Sequence, residues 1–143
     1  MRRRAAIEGG YTGVSDLYVV RYLLQATGNS QAPLLWQAID AGSYTSELNG
    51  VRLSLFRART LGWSGLCLAF SSGGDTMCVE EPRPFGLFGR RYRSDDERSL
   101  ADALSGLARA VATQCFEREV RSRDLREVIR EGIYHRVLFG GPS

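Results

Sequence analysis

The sequence predicts an α+β fold in which a four-stranded antiparallel meander, over about residues 44–82, is covered on one face by two N-terminal and two C-terminal helices. Two turn signals predict the meander. Asn49 with Gly50, and Gly73 with Gly74, each separate two runs of alternating apolar and polar residues. Apolar residues at helical spacing on both sides of this region predict the helices. A chain of 143 residues fits a single domain.

The first helix is predicted over residues 16–27, with Ser15 as its N-cap and Gly28 as its stop. Its apolar face is formed by Leu17, Val20 and Leu24, widened by Val19 and Leu23. A short second helix is predicted over residues 31–41, with Pro33 in its first turn and Gly42 at its end. Its apolar residues are Leu34, Leu35, Trp36, Ala38 and Ile39.

The two hairpins have a register that follows from their two-residue turns. Around the first turn, Leu48 is expected opposite Val51, Ser46 opposite Leu53, and Tyr44 opposite Leu55. Around the second turn, Phe70 is expected opposite Met77, and Leu68 opposite Val79. Apolar pairs then share one face, and the polar pairs Glu47 with Arg52 and Thr45 with Ser54 share the other. Pro82 and Pro84 end the fourth strand.

The third helix is predicted to begin with a capping box made by Ser94 and Glu97. Its core-facing stripe is Leu100, Leu104, Leu107, Val111 and Cys115. A fourth helix is predicted from Ser122, with Leu125, Val128 and Ile129 facing inward. Residues 133–139 fit either an extension of that helix or a final strand.

We expect a flexible basic arm over residues 1–13 and one globular domain over residues 14–139. No apolar segment follows the first arginines to make a secretory signal, and no run approaches the twenty apolar residues of a membrane span. Three cysteines without CxxC spacing and a single histidine favour reduced thiols, a cytoplasmic location, and no metal or cofactor.

All nineteen basic residues are arginines, which limits the chemistry open to the chain. Without lysine, a Schiff base, a lysine nucleophile and the P-loop lysine are all excluded. The net charge of +3 is spread along the chain. A dedicated DNA-binding domain would instead gather its positive charge in one stripe. Cationic contacts must come from guanidinium groups, which suit carboxylates, phosphates and aromatic faces.

The strongest candidate for function is the stretch that precedes the third helix. It combines aromatic residues with arginines, a composition found at interface hot spots and at single-strand nucleic-acid platforms. The predicted partner- or phosphate-binding residues are Phe85, Phe88, Arg90, Arg91, Tyr92 and Arg93. A secondary basic face is predicted at Arg123, Arg126 and Arg130, although acids alternate with these arginines and favour intrahelical ion pairs.

We therefore expect a non-catalytic interaction module, such as a small adaptor, regulator or chaperone-like protein, that binds a protein partner. A homodimer is compatible with this expectation. The first alternative is a nucleic-acid-binding protein of viral or mobile-element type that uses the same arginines. The second is a small enzyme acting through Cys67, Ser64 or His135, although GWSGL at residues 62–66 lacks the final glycine of a nucleophile elbow.

Overall fold

The computed structural model describes residues 15–60, 62–89 and 91–139, without the side chains of Thr60, Leu87 and Phe139. The predicted basic arm and Arg90 therefore lie outside the described residues. Within them the fold is α+β, with one five-stranded antiparallel sheet between two helices in the chain. The strands follow sequence order across the sheet, so every connection joins neighbours.

Helix α1 spans Asp16–Thr27 and confirms the predicted boundaries. The Ser15 hydroxyl accepts a hydrogen bond from the Tyr18 N–H at 3.2 Å, and Gly28 closes the C-terminus. Val20 and Leu23 are fully buried on its inner face. α1 is therefore anchored to the sheet by an apolar stripe of the kind its sequence predicts.

The predicted helix over 31–41 is wrong. Residues 37–40 form the short edge strand β1 (Gln37–Asp40), and Gly42 lies in the turn that joins β1 to the next strand, with φ +83°. The Asn29 side chain accepts hydrogen bonds from the N–H groups of Gln31 and Ala32 and makes one local turn. No helix continues from this turn because the Gln114 side chain of the last helix bonds the backbone of Leu34 and Trp36. Sheet pairing then outweighs the helical spacing of the apolar residues.

The four predicted strands are present and are joined by β1 into a five-stranded meander: β2 (Ser43–Leu48), β3 (Val51–Thr60), β4 (Trp63–Ser72) and β5 (Asp75–Glu80). Both predicted hairpin registers are confirmed, including Leu48 opposite Val51 and Phe70 opposite Met77. Asn49 and Gly50 both have positive φ, as a type I′ turn requires.

The two predicted C-terminal helices are one. Helix α2 spans Asp95–Phe139 without a break, so Ser122 is not a cap and residues 133–139 are helical. The chain between residues 116 and 122 contains no glycine or proline that would stop a helix, and an ion pair between Arg123 and Glu119 at 3.7 Å links the two parts. A helix of 45 residues is about 68 Å long, far longer than the sheet is wide.

The core lies between one face of the sheet and the two helices. It contains Leu53, Leu55, Leu68 and Val79 from the sheet, Val20 and Leu23 from α1, and Leu104, Leu107 and Val111 from α2. Trp36 is buried beside them, and its indole N–H donates to the Thr27 hydroxyl at 3.0 Å. Among the described helices, none is long and apolar enough to cross a membrane.

Candidate protein-interaction surfaces

Residues 85–91 form a closed loop, which we call the Phe loop. The backbone N–H of Phe85 donates to the carbonyl of Arg91 at 2.7 Å, and the Arg91 N–H donates back to Phe85 at 3.0 Å. Inside this pair, the Gly89 N–H donates to the Gly86 carbonyl at 3.0 Å. Gly86 has φ +91°, and a Cβ there would lie 3.3 Å from the Arg91 side chain. The closure holds the tip of the loop in a defined position.

Phe88 stands at that tip and is unfavourable there for two reasons. Its side chain is 81% exposed, and its backbone has φ +73°, in the left-handed region that bulky residues avoid at a cost of about 1–2 kcal/mol. Asparagine or glycine would suit the turn better. A large apolar side chain held outward on a strained backbone is a feature of binding loops, where strain and function coincide.

The base of the Phe loop is tied to the start of α2. The Arg93 guanidinium lies 5.6 Å from the centre of the Phe85 ring, and the Arg93 N–H donates to the Glu97 carboxylate at 3.1 Å. The Glu97 N–H donates in turn to the Ser94 hydroxyl at 3.2 Å, so the predicted cap at Ser94 is confirmed. The return bond of a capping box differs, because Glu97 accepts from the N–H of Arg93 rather than that of Ser94. Arg91 is exposed and Tyr92 is half-buried. Four of the predicted residues therefore have a described place around one short loop beside Phe88.

The second surface is the C-terminal part of α2. We divide the helix into a proximal segment, residues 95–115, and a distal segment, residues 116–139. From residue 121 to residue 138 every side chain except that of Ser122 is exposed. This part of the helix is about 27 Å long. The predicted inward orientation of Leu125, Val128 and Ile129 is wrong, since these side chains are 54–65% exposed.

The distal segment repeats the core-facing residues of the proximal segment. Leu125 follows Leu107, Ile129 follows Val111, and Ile133 follows Cys115, each after 18 residues. Eighteen residues are five turns of an α-helix, so each pair points in the same direction. We call Leu125, Ile129, Ile133 and Val137 the apolar ridge. It continues the buried stripe of α2 beyond the place where the sheet and α1 end.

The predicted secondary basic face lies beside the apolar ridge. Arg123, Arg126 and Arg130 fall within 60° of one another around the helix axis. Arg123 pairs with Glu119 at 3.7 Å and Arg130 with Glu127 at 3.2 Å, both on the exposed surface. These pairs neutralise much of the positive charge, so the face is less basic than its arginines suggest. The intrahelical pairing expected from the alternating charges is present.

The two predicted surfaces are not brought together. The Phe loop precedes the first turn of α2, whereas Arg123 lies 28 residues after Asp95, which is roughly 40 Å along the helix axis. A single compact ligand cannot contact both surfaces of one chain. They are two separate candidate surfaces, one just before α2 and one in its C-terminal part.

A third feature is an apolar groove of about 400 Å³ between α1 and the first hairpin. Tyr18 and Tyr22, which are 60% and 49% exposed, form one wall, and Leu48, Val51 and Phe70 form the other. The sequence predicted the facing register of these strands but not the groove, because its width depends on where α1 lies on the sheet. Most of its lining is apolar.

The residues considered for catalysis are not assembled. Ser64 is the second residue of β4, and its neighbours Trp63 and Gly65 line one pocket with Leu100. His135 lies 35 residues after Leu100 along α2, at about 50 Å. Cys67 is 5% exposed, and burial, reinforced by the neighbouring Cys78 thiol, raises its pKa to about 12, so its thiolate is scarce at neutral pH. No cluster of three or more potential metal ligands occurs within the described residues.

Comparison of the chain with protein-family models, with curated proteins and with solved structures gave no match.

Proposed function

We propose that this chain is a non-catalytic protein-interaction module whose main docking surface is the distal segment of α2. One observation carries the proposal: an apolar ridge that continues a core stripe is exposed along a projecting helix. Leu125, Ile129 and Ile133 are 54–60% exposed and lie on one face. Exposed apolar surface of this kind is typical of interfaces.

The projecting helix also needs a partner for its own stability. Most helical stability in proteins comes from packing of an apolar face, and the apolar face of the distal segment is exposed among the described residues. The two exposed ion pairs contribute only about 0.3–0.5 kcal/mol each. A bound partner would supply the missing packing, as the sheet and α1 do for the proximal segment.

The charge of the distal segment favours protein over nucleic acid. Its six arginines are accompanied by five acids, and two of the arginines form ion pairs with acids on the same helix. A nucleic-acid groove requires arginines that are available to phosphates. Apolar residues flanked by charges of both signs are instead typical of a helix that docks on another protein.

The Phe loop is proposed as a second docking site of the same module. Phe88 would be its anchor, because a large aromatic side chain that enters a partner pocket contributes strongly to affinity. Arg91, exposed beside it, would pair with a carboxylate on the partner surface. Adaptors and chaperone-like proteins commonly need two such contacts, although either site could act separately.

The test compares two glutamate variants on one helix. In affinity capture from an extract of the source cells, I129E/I133E should lose the proteins other than the chain itself that wild type retains. The matched control, L138E, changes an equally exposed apolar residue outside the ridge and should retain them. An identical set of captured proteins for wild type and I129E/I133E would contradict the proposal.

A salt titration of binding to mixed single- and double-stranded DNA and RNA tests the alternative function. We expect no tight binding near physiological salt. Tight binding whose log affinity falls steeply with log salt would favour a nucleic-acid-binding protein instead.

Substitutions of Phe88 test the loop separately. F88A keeps the left-handed backbone and removes the ring, so stability should hardly change. F88G also relieves the strained backbone and should raise the free energy of unfolding by about 0.5–1 kcal/mol in denaturant titrations. Both variants should lose partners that depend on the loop. If F88G is destabilised, Phe88 has a packing role instead.

A further inference from the structure

We propose that the apolar ridge is a self-association surface, on which two copies of the chain dock as a crossed, antiparallel pair of α2 helices related by a two-fold axis. This inference rests on the proposed function and names its partner as a second copy. Four observations support it: the spacing of the ridge, a glycine beside it, its area and its charge.

The spacing of the ridge predicts how two helices would cross. Its four residues follow one another at intervals of four, which is the row that interdigitates when helices cross at about −50°. A long coiled coil would instead need apolar residues every seven positions. Seven residues before Leu125 is Arg118, and seven residues after it is Gly132. The contact is therefore confined to the ridge, about 18 Å along the helix.

Gly132 lies beside the ridge, and no packing contact among the described residues requires a glycine there. Glycine in a helix interior costs about 1 kcal/mol relative to alanine, and a Cβ at Gly132 would meet nothing within 4 Å. Gly106 in the same helix differs, because its Cβ would lie 3.4 Å from Leu24 of α1. Gly106 therefore lies where α1 approaches α2. Gly132 offers a second helix the same close approach.

The exposed area is enough for a dimer. The ridge residues and Val128 are each at least half exposed. Two copies would together bury on the order of 1,000 Å², which is the lower limit for a specific protein–protein interface. The interface also extends an existing one, since the same stripe of α2 already packs on α1 and the sheet.

The charge of the distal segment permits two copies to associate, and the size of the domain decides between parallel and antiparallel helices. With six arginines and five acids, the distal segment is nearly neutral and would not repel its own copy. Helix axes in contact lie 8–10 Å apart, whereas a domain of about 100 residues has a radius of gyration of about 13 Å. Parallel helices would force the two domains together at the same end. Antiparallel helices place them at opposite ends, and the two-fold axis closes the dimer.

Sedimentation equilibrium of the full chain between 1 and 200 µM, a range chosen to bracket ordinary dimer affinities, is the first test. Wild type should be dimeric at the upper end. I129E/I133E should raise the dimer Kd about 100-fold or more, because association would bury unpaired carboxylates. L138E should dimerise as wild type does. All three should unfold at the same temperature when dilute. A monomeric wild type at 200 µM, or a dimer that I129E/I133E leaves intact, overturns the inference.

Cysteine pairs test the orientation. In an antiparallel dimer centred near residue 131, position 125 of one chain faces position 137 of the other. An oxidised mixture of L125C and V137C should therefore give a covalent dimer, and each variant alone should give none beyond the wild-type background. L125C cross-linking to itself would overturn the antiparallel arrangement. If wild type is monomeric but I129E/I133E still loses other captured proteins, the proposed function stands and only self-association fails.

Discussion

The proximal and distal segments of α2 have the same apolar stripe in different surroundings. Leu107 is fully buried, whereas Leu125, five turns later on the same face, is 60% exposed. The proximal stripe is covered by the sheet and α1, but no described element reaches the distal stripe. The comparison teaches that an apolar helical face predicts the need for a partner, and that the rest of the fold decides whether one is present.

The two segments should therefore differ in dynamics as well as in burial. Amides of the proximal segment are held by a core that must unfold globally before they open, whereas distal amides can open locally. Hydrogen exchange of the distal amides with solvent then measures directly whether a partner is bound. Three substitutions or measurements sharpen this contrast, and they are ordered by expected effect.

The largest effect is expected from L107A. Removal of the buried side chain should lower the free energy of unfolding by about 2–5 kcal/mol, since the core cannot fully collapse around the cavity. The matched change L125A should cost less than about 0.5 kcal/mol in dilute protein, because the side chain is already exposed. Denaturant titrations measure both. Equal losses would show that the distal ridge is packed within one chain.

A smaller effect is expected from Q114A, at the end of the proximal segment. The Gln114 side chain accepts a hydrogen bond from the backbone N–H of Trp36 and donates one to the Leu34 carbonyl, both at 2.8 Å. These two bonds hold the segment before β1 against α2. Loss of these bonds leaves part-buried backbone groups unpaired and should cost about 1–3 kcal/mol. Q25A, on the exposed surface of α1, is the control. Unchanged stability of Q114A would place the end of the packed region earlier in the helix.

The smallest effect is expected from thiol ionisation at equivalent positions. Burial raises the pKa of Cys115, whose thiol lies 3.5 Å from the Trp36 carbonyl. Because the folded pKa is above the ordinary value of 9.0, the stabilisation is complete below pH 9 and is lost as the pH rises through the folded value. In dilute protein at pH 8, Cys115 should resist alkylation while I133C reacts as a free thiol. Equal alkylation rates for the two thiols would show that the proximal and distal positions do not differ in burial.

Turns and helix caps, which depend on a few neighbouring residues, were predictable from the sequence. The turns at Asn49 with Gly50 and at Gly73 with Gly74 and the caps at Ser15 and Ser94 are all confirmed, because each depends on local hydrogen bonds or on glycine conformation. These devices set the register of two hairpins and the starts of both helices. They did not require knowledge of the rest of the chain.

Residues 31–41 show where local evidence failed. Their apolar spacing is helical, but burial of Trp36 and pairing of Gln37 with Thr45 make the chain extended. Both interactions involve partners outside the segment, and Gln114 contacts it from 78 residues away. Spacing within the segment cannot reveal partners at that distance.

The candidate surfaces divide in the same way. Composition identified the Phe loop, since aromatic residues and arginines beside a helix start are visible in the sequence, but only the backbone shows that Phe88 is strained and exposed. The sequence predicts that Leu125 and Ile129 of the apolar ridge face inward, and it fits residues 133–139, which hold the rest of the ridge, to either a helix or a strand. The sequence contains an 18-residue repeat of the buried stripe, but the repeat alone does not distinguish a covered helix face from an exposed one.

Turns, caps and hairpin register thus follow from the sequence, because their energies arise between residues close in the chain or directly opposite each other. The path of residues 31–41 and the exposure of the distal half of α2 depend on tertiary structure. The path follows from the contacts of this segment with β2 and Gln114. The exposure arises because a helix about 68 Å long crosses a much narrower sheet and extends beyond it. Whether a side chain is buried depends on where the helices and strands end relative to one another. That relative position cannot be obtained from the local sequence.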